Sequence, residues 1–300
     1  YYNIEGCLEE GGSIMKTAII TDSTAYLSDE YIEQHDDLYV ISLSVILNQS
    51  SYKESHEITT DEFYAKLNQV EELPMTSQPS IGEYIDLLEQ LKNKGYEKAI
   101  AIHLSSGISG TYQNSITAGK SVDGIDVYSF DSKLACMIEG FYVDFAYKHK
   151  NQRTADEIID EMTKMRDQTT EGYIVVDDLS NLRKGGRLTA TQAMIGTMLH
   201  IKPVLTFEDG LIVPNAKIRT LNKALKQIEH YFEDIVHQYP DEQIHATIIH
   251  ANNEDAAEKW LYKMKEKYPN INITLSHFGP VIGTHLGSGA LAMGWVIGDF

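Results

Sequence analysis

The sequence predicts an α/β protein of two α/β domains, the first around a largely parallel sheet and the second around a mixed one. Three observations carry this. Short apolar runs such as Thr17-Ala18-Ile19-Ile20 and residues 98–104 alternate with segments of helical period. Hydroxyl-rich junctions follow several of those runs. Further on, two strand-like runs flank Glu208-Asp209-Gly210, a hairpin signal, and a strand–helix–strand unit comes after them. The chain has 300 residues, 42% of them hydrophobic, enough for two cores.

Taken in order, the first strand covers 17–21 and runs into Asp22-Ser23-Thr24. A longer strand of alternating character spans 38–47. Thr59 and Glu62 have capping-box spacing, with Ile58 and Phe63 as the apolar staple, so a helix begins at Thr60. Thr76-Ser77-Gln78-Pro79-Ser80 is a second polar junction, and Ser80 with Glu83 opens a helix to residue 94. Tyr84, Leu87, Leu88 and Leu91 form its buried stripe, and Gly95 stops it. The strand at 98–104 follows, then one at 125–130 and a helix over 134–147. Thr154 and Glu157 cap the next helix. The strand at 173–176 opens the second domain, and the division is placed at 15–170 and 171–300. There the spacing predicts strands at 202–207 and 211–218, a helix at 221–238, a strand at 243–250, a helix to 268 and a strand at 271–276. Residues 1–14 read as an extension outside the fold, because Met15-Lys16 leads straight into the first strand.

The formal net charge of −19 argues against nucleic-acid backbones and anionic membrane surfaces as partners. No apolar run approaches the length of a membrane span, so stable membrane insertion is not expected. Of the two cysteines, Cys7 falls in the extension, which leaves Cys136 without a partner and points to a cytoplasmic protein. His245 and His250 stand five apart on a strand and face opposite ways, and no Cys/His cluster has ligand spacing, so no metal is expected. No Walker-type phosphate loop is present.

The chemistry concentrates at His103-Leu104-Ser105-Ser106-Gly107-Ile108-Ser109-Gly110-Thr111-Tyr112, where a strand enters and a helix leaves. Glycines let backbone N–H groups approach a ligand, and a helix start favours a small anion. Junctions at Ser23, Thr76 and Ser109 are all rich in hydroxyls, and in an open parallel sheet loops after strands converge at the carboxyl edge. Gly107-Ile108-Ser109-Gly110-Thr111 also nearly forms a nucleophile elbow, with His285 as a distant base, but that motif needs glycine where Thr111 stands. A stand-alone serine hydrolase is therefore the alternative reading. His285, among small residues, reads either as a ligand neighbour or as a packed histidine. Arg187, beside two glycines in the dense basic cluster 183–187, suggests an anion or acidic partner rather than a solvated charge.

In order and spacing these motifs resemble the DegV family along nearly the whole chain from Met15. The resemblance rests on Thr21-Asp22-Ser23-Thr24, Thr76-Ser77-Gln78-Pro79, Leu104 to Tyr112, Lys184-Gly185-Gly186-Arg187, Ile201-Lys202-Pro203, Arg219-Thr220 and Gly283-Thr284-His285 with Gly287 and Gly289. It implies two α/β domains with a lipid held between them. It implies a bacterial fatty-acid-binding carrier, not itself an enzyme, that presents a long-chain fatty acid to a separate ATP-dependent fatty acid kinase subunit. The acyl phosphate formed would feed phospholipid synthesis, and no cofactor beyond the bound acid is implied. By matching motifs, Thr76 and Ser109 would bind the carboxylate with His285 nearby, and Arg187 and Arg219 would serve phosphotransfer or docking to the kinase. Methionines such as Met194 and Met198 are candidates for an adaptable tunnel wall, with ordinary packing as their other reading.

Overall fold

A computed structural model describes residues 16–70, 72–177, 179–189 and 201–300. The extension 1–14 and the Met194–Met198 stretch lie outside the described residues. Four strands form a parallel sheet in the order β2-β1-β6-β7: β1 (Thr17–Asp22), β2 (Leu38–Ile41), β6 (Lys98–His103) and β7 (Asp126–Asp131). A three-stranded antiparallel sheet stands beside it, made of β3 (Ser44–Leu47), β4 (Ser50–Lys53) and β5 (Met75–Ser77) in the order β4-β3-β5. The single strand expected at 38–47 is thus two strands in two sheets. The break falls at Ser42-Leu43, where the Leu43 N–H donates to Ser23 Oγ at 3.1 Å instead of continuing the ladder.

Capping chemistry sets the helices of this half. In α2 (Thr60–Leu67), α3 (Ile81–Asn93) and α6 (Ala155–Gln168), the caps Thr59, Ser80 and Thr154 form complete capping boxes with Glu62, Glu83 and Glu157. Short α1 (Asp29–Glu33) precedes them, and α4 (Thr111–Gly119) follows β6. α5 (Met137–His149) starts three residues later than expected, because Cys136 takes a left-handed backbone, φ 64°.

The second sheet has six strands in the order β10-β9-β8-β13-β11-β12. They are β8 (Glu171–Val175), β9 (Lys202–Glu208), β10 (Leu211–Ile218), β11 (Ile244–His250), β12 (Asn272–His277) and β13 (Leu291–Ile297). β11 and β12 are parallel and the remaining pairs antiparallel, so the sheet is mixed. Asp209 and Gly210, both at positive φ, turn the β9–β10 hairpin. Its helices are α7 (Ser180–Lys184), α8 (Leu221–Gln238), α9 (Glu254–Lys267) and α10 (Pro280–Leu286). α8 and α9 cover the sheet through Phe232, Trp260 and Met264 against Trp295. One apolar cluster belongs to both halves, joining Leu43, Phe63 and Leu104 to Ile174, Leu205 and Leu286. That shared core holds the two halves face to face around the cavity described next.

Candidate functional site: an apolar cavity with a hydroxyl mouth

A cavity of about 320 Å³ opens between the two halves. Its wall is mostly apolar and includes Leu43, Leu104, Ile138, Ile174, Phe207 and Met293. Thr76, Ser109, Arg187 and His285 line the same cavity. Four of the five residues singled out from sequence therefore meet. The fifth, Arg219, is exposed just past the end of β10 and is not part of this lining.

Thr76 comes from the central residue of β5, in register with Val45. Its Oγ1 lies 2.8 Å from His285 Nε2. His285 sits near the end of α10, a helix seated by two glycines: a Cβ at Gly279 would collide with the Tyr26 ring, and one at Gly283 would lie 2.5 Å from the Tyr64 hydroxyl. Burial, with the Arg187 charge adding to it, pushes the His285 pKa down to about 4. The ring is therefore neutral at pH 7. Its Nδ1 has no hydrogen-bond partner among the described residues and faces Gly185, whose missing side chain makes room for the ring. With Nε2 carrying the proton, Thr76 Oγ1 accepts from it, and the threonine's own proton is left for an anion.

Ser109 lies on the loop between β6 and α4. Its Oγ is 2.9 Å from Thr111 Oγ1 and accepts the Thr111 N–H at 3.3 Å. The backbone N–H groups expected to reach a ligand are instead consumed internally. Ser106 N donates to Asp131, Gly107 N to Ser105 Oγ, Ile108 N and Ser109 N to the Ser105 carbonyl, and Gly110 N to Gln78 Oε1. The loop's glycines answer to close packing: a Cβ at Gly107 would collide with the Gly210 carbonyl, and one at Gly110 with the Gln78 amide. An anion here meets side-chain hydroxyls. Arg187 closes the loop from the other half, its Nε donating to the Ile108 carbonyl at 3.2 Å.

The third hydroxyl junction does not join. Ser23 Oγ donates to Glu54 Oε2 at 2.6 Å, and Ser23 does not line the cavity. It belongs to a buried polar cluster. There Asp22 accepts from Thr24 and the Leu104 N–H and lies 3.0 Å from His103 Nδ1, while Glu139 accepts from Thr21. Asp22, His103 and Glu139 present ligand-type atoms within 4.8 Å of one another. The Tyr84 hydroxyl takes the other ring nitrogen at 2.7 Å, and burial with the nearby Asp22 charge raises the Glu139 pKa well above its usual range. A proton on Glu139 and neighbouring donors already satisfy these atoms, so the cluster reads as a polar core rather than a metal cage.

The hydrolase geometry is also absent among the described residues. Ser109 is hydrogen-bonded to Thr111 and to no histidine, while His285 bonds Thr76. Sequence reasoning missed Gln78 as part of the lining, although it stands two residues after Thr76 in the same polar junction. It also missed Ile138, Ile174 and Phe207, which carry no local signature because apolar wall and ordinary core look alike in sequence.

Mostly apolar, with hydroxyls, a neutral imidazole and one guanidinium in its wall and set between two α/β halves, the cavity defines a class of protein suited to bury an apolar ligand with a small polar end. The DegV family profile, described as an uncharacterised protein family, matches residues 16–298. The chain therefore belongs to the DegV family. A DegV domain-containing protein of Listeria innocua is 46% identical over 286 residues, covering 94% of this chain and 99% of that one. The crystal structure of DegV, a fatty-acid-binding protein from Bacillus subtilis, superposes with a TM-score of 0.88 at 43% identity, covering 95% of this chain and all (100%) of that one. A fatty-acid-binding DegV family protein from Streptococcus agalactiae gives 0.87 at 36% identity, with 95% and 100% covered.

Proposed function

We propose that this protein carries a long-chain fatty acid in the cavity between its halves, residues 15–170 and 171–300, with the carboxylate held by Thr76 and Ser109 and braced by His285. The observation that carries the reading is the pairing of an apolar cavity with hydroxyl donors in its wall. The likeness to fatty-acid-binding relatives supports it. Each methylene taken from water is worth about 0.8 kcal/mol, so a long acyl chain makes a buried seat strongly favourable. Native mass spectrometry of the purified protein tests this: a co-purified fatty acid supports the carrier, and an empty protein that cannot be loaded with long-chain acid overturns it.

We further infer that the carrier serves an ATP-dependent fatty acid kinase subunit in the cytoplasm. A carboxylate oxygen would attack the γ-phosphorus of ATP, ADP would leave, and the acyl phosphate would pass to phospholipid synthesis. The hydroxyls and the neutral imidazole would hold the carboxylate by hydrogen bonds, with the Arg187 guanidinium as the nearby cation. Arg187 and Arg219 are assigned to the transferred phosphate or the kinase surface, since a guanidinium fork matches phosphate geometry. In this scheme the chain supplies the substrate and the kinase supplies the catalysis and the nucleotide.

A further inference from the structure

Thr76 and Ser109 come from different elements, and a headgroup shared between them needs their separation fixed. Thr76 is on β5, an outer strand of the small antiparallel sheet, and Ser109 is on a loop of the parallel sheet. No strand pairing joins the two sheets. Two hydrogen bonds cross between the segments. Asn114 Nδ2 donates to the Pro79 carbonyl at 2.9 Å, one helical turn into α4. The Gly110 N–H donates to Gln78 Oε1, also at 2.9 Å, directly next to Ser109. The Gln78 amide lies so close over Gly110 that a Cβ there would displace it. With Arg187 holding the Ile108 carbonyl, Ser109 is gripped by one bond on each neighbouring residue.

We propose that Gln78 is a positioning residue that acts on the bound headgroup through Ser109, by locking Gly110 at a fixed distance from the strand that carries Thr76. The inference rests on the fatty-acid reading above. Gln78 also lines the cavity, but the hydrogen bond its amide makes goes to the backbone of Gly110, which routes its influence on the ligand through the hydroxyl next door. Replacing it leaves both hydroxyls present but lets the loop drift relative to β5. Because Gln78 is exposed, its loss does not threaten the fold.

The test is a double-mutant cycle on fatty-acid affinity, with oleate and palmitate as probes and the melting temperature recorded alongside. Gln78→Ala alone is expected to weaken binding roughly three- to tenfold, the scale of one lost hydrogen bond, with unchanged melting. On a Ser109→Ala background the same change is expected to cost less than about twofold, because the group it positions is gone. On a Thr76→Ala background the loss should shrink as well, because only one of the two hydroxyls whose separation Gln78 fixes remains. Wild-type affinity in Gln78→Ala, or an undiminished loss on both backgrounds, overturns the positioning role while leaving the fatty-acid reading intact. A wild-type protein that binds neither probe overturns that reading and this one with it.

Discussion

Two hydroxyl-rich loops leave adjacent strands of the parallel sheet and end up as different things. The first comprises Thr21 at the end of β1 with Ser23 and Thr24 just after it; the second comprises Ser105, Ser106 and Ser109 after β6 with Thr111 at the start of α4. In the first, every hydroxyl finds a carboxylate of the protein itself: Thr21 donates to Glu139, Ser23 to Glu54 and Thr24 to Asp22. In the second, Ser105 and Ser106 are likewise spent, on Gly210 and Asp131. Among the described residues, Ser109 and Thr111 have only each other. Two hydroxyls sharing one hydrogen bond leave one proton unused, and in the tautomer with the proton on Nε2 of His285, Thr76 leaves another. What separates a structural loop from a binding loop is thus the location of the acceptor. The first loop brings its carboxylates along in the chain. In the second, Ser109 and Thr111 meet no carboxylate among the described residues, and on the proposed function the bound acid would supply it.

The largest effect should come from breaking the self-sufficient loop. Asp22→Ala removes the acceptor of the Thr24 N–H, the Thr24 hydroxyl and the Leu104 N–H, and the neighbour of the His103 ring, all buried. Stranding a buried hydrogen-bonded network is expected to cost about 3–5 kcal/mol of unfolding free energy. Urea denaturation should show it, and a loss under about 1 kcal/mol would mean the cluster tolerates an empty centre.

The two regions should also titrate in opposite directions. His285 has a folded pKa of about 4 against 6.5 unfolded. The unfolded chain therefore takes up the proton first, so the stability contribution is intact above pH 6.5 and lost as pH falls towards 4. The gap in stability between wild type and His285→Gln should shrink by up to about 3 kcal/mol across that window. Glu54 runs the other way: burial raises its pKa from 4.5 to about 7, so the fold holds the proton more tightly and wild type should gain on Glu54→Gln as pH drops from 7 to 4.5. Parallel slopes for the two variants in pH-dependent urea titrations would show that the polar core and the cavity are not electrostatically distinct.

At the binding loop the order of effects reverses. Thr76→Ala and Ser109→Ala should each weaken fatty-acid binding roughly ten- to a hundredfold, the scale of one hydrogen bond to a charged group. Ser109→Ala should change stability by less than about 0.5 kcal/mol, because the residue is only partly buried, whereas Thr76→Ala strands the buried His285 ring and should cost about 1–3 kcal/mol. Isothermal titration with melting curves on the same samples separates the two effects. Unchanged affinity in both variants would place the carboxylate elsewhere in the cavity.

Much of this was legible in the residues, and the gaps have physical causes. Capping boxes at Thr59, Ser80 and Thr154 gave correct helix starts because their chemistry is local. The turn at Asp209-Gly210 did the same for the hairpin. β13 escaped notice, although it is the fully buried strand between β8 and β11, because its Leu291–Ile297 run is apolar throughout and shows no alternation. Thr76, Ser109 and His285 stood out as polar groups in glycine- or hydroxyl-rich settings. The fate of Ser23 did not, since it turns on Glu54 thirty-one residues away. Nothing in a sequence window says whether a hydroxyl will meet its acceptor inside the fold.

The smallest binding effect is expected at Arg219, and it sharpens the contrast with Arg187. Both were assigned from sequence to phosphotransfer or docking, and the structure gives them different surroundings. Arg187 lines the cavity, bonds the Ile108 carbonyl of the binding loop and lies close enough to depress the His285 pKa. Its loss should weaken fatty-acid binding and acyl-phosphate formation together. Arg219 is exposed beyond β10 and has no place in the cavity wall, so Arg219→Ala should change fatty-acid affinity by less than about 1 kcal/mol, the ordinary scale for a surface charge. If Arg219 meets the kinase, the variant should raise the KM of the kinase for the lipid-loaded carrier and make that KM less sensitive to added salt, because an exposed charge acts across a screened distance. Steady-state phosphorylation of loaded wild type, Arg187→Ala and Arg219→Ala, each at two salt concentrations, separates the roles. A wild-type KM in Arg219→Ala would remove it from the docking surface, and wild-type lipid affinity in Arg187→Ala would show that the binding loop keeps its shape without the guanidinium.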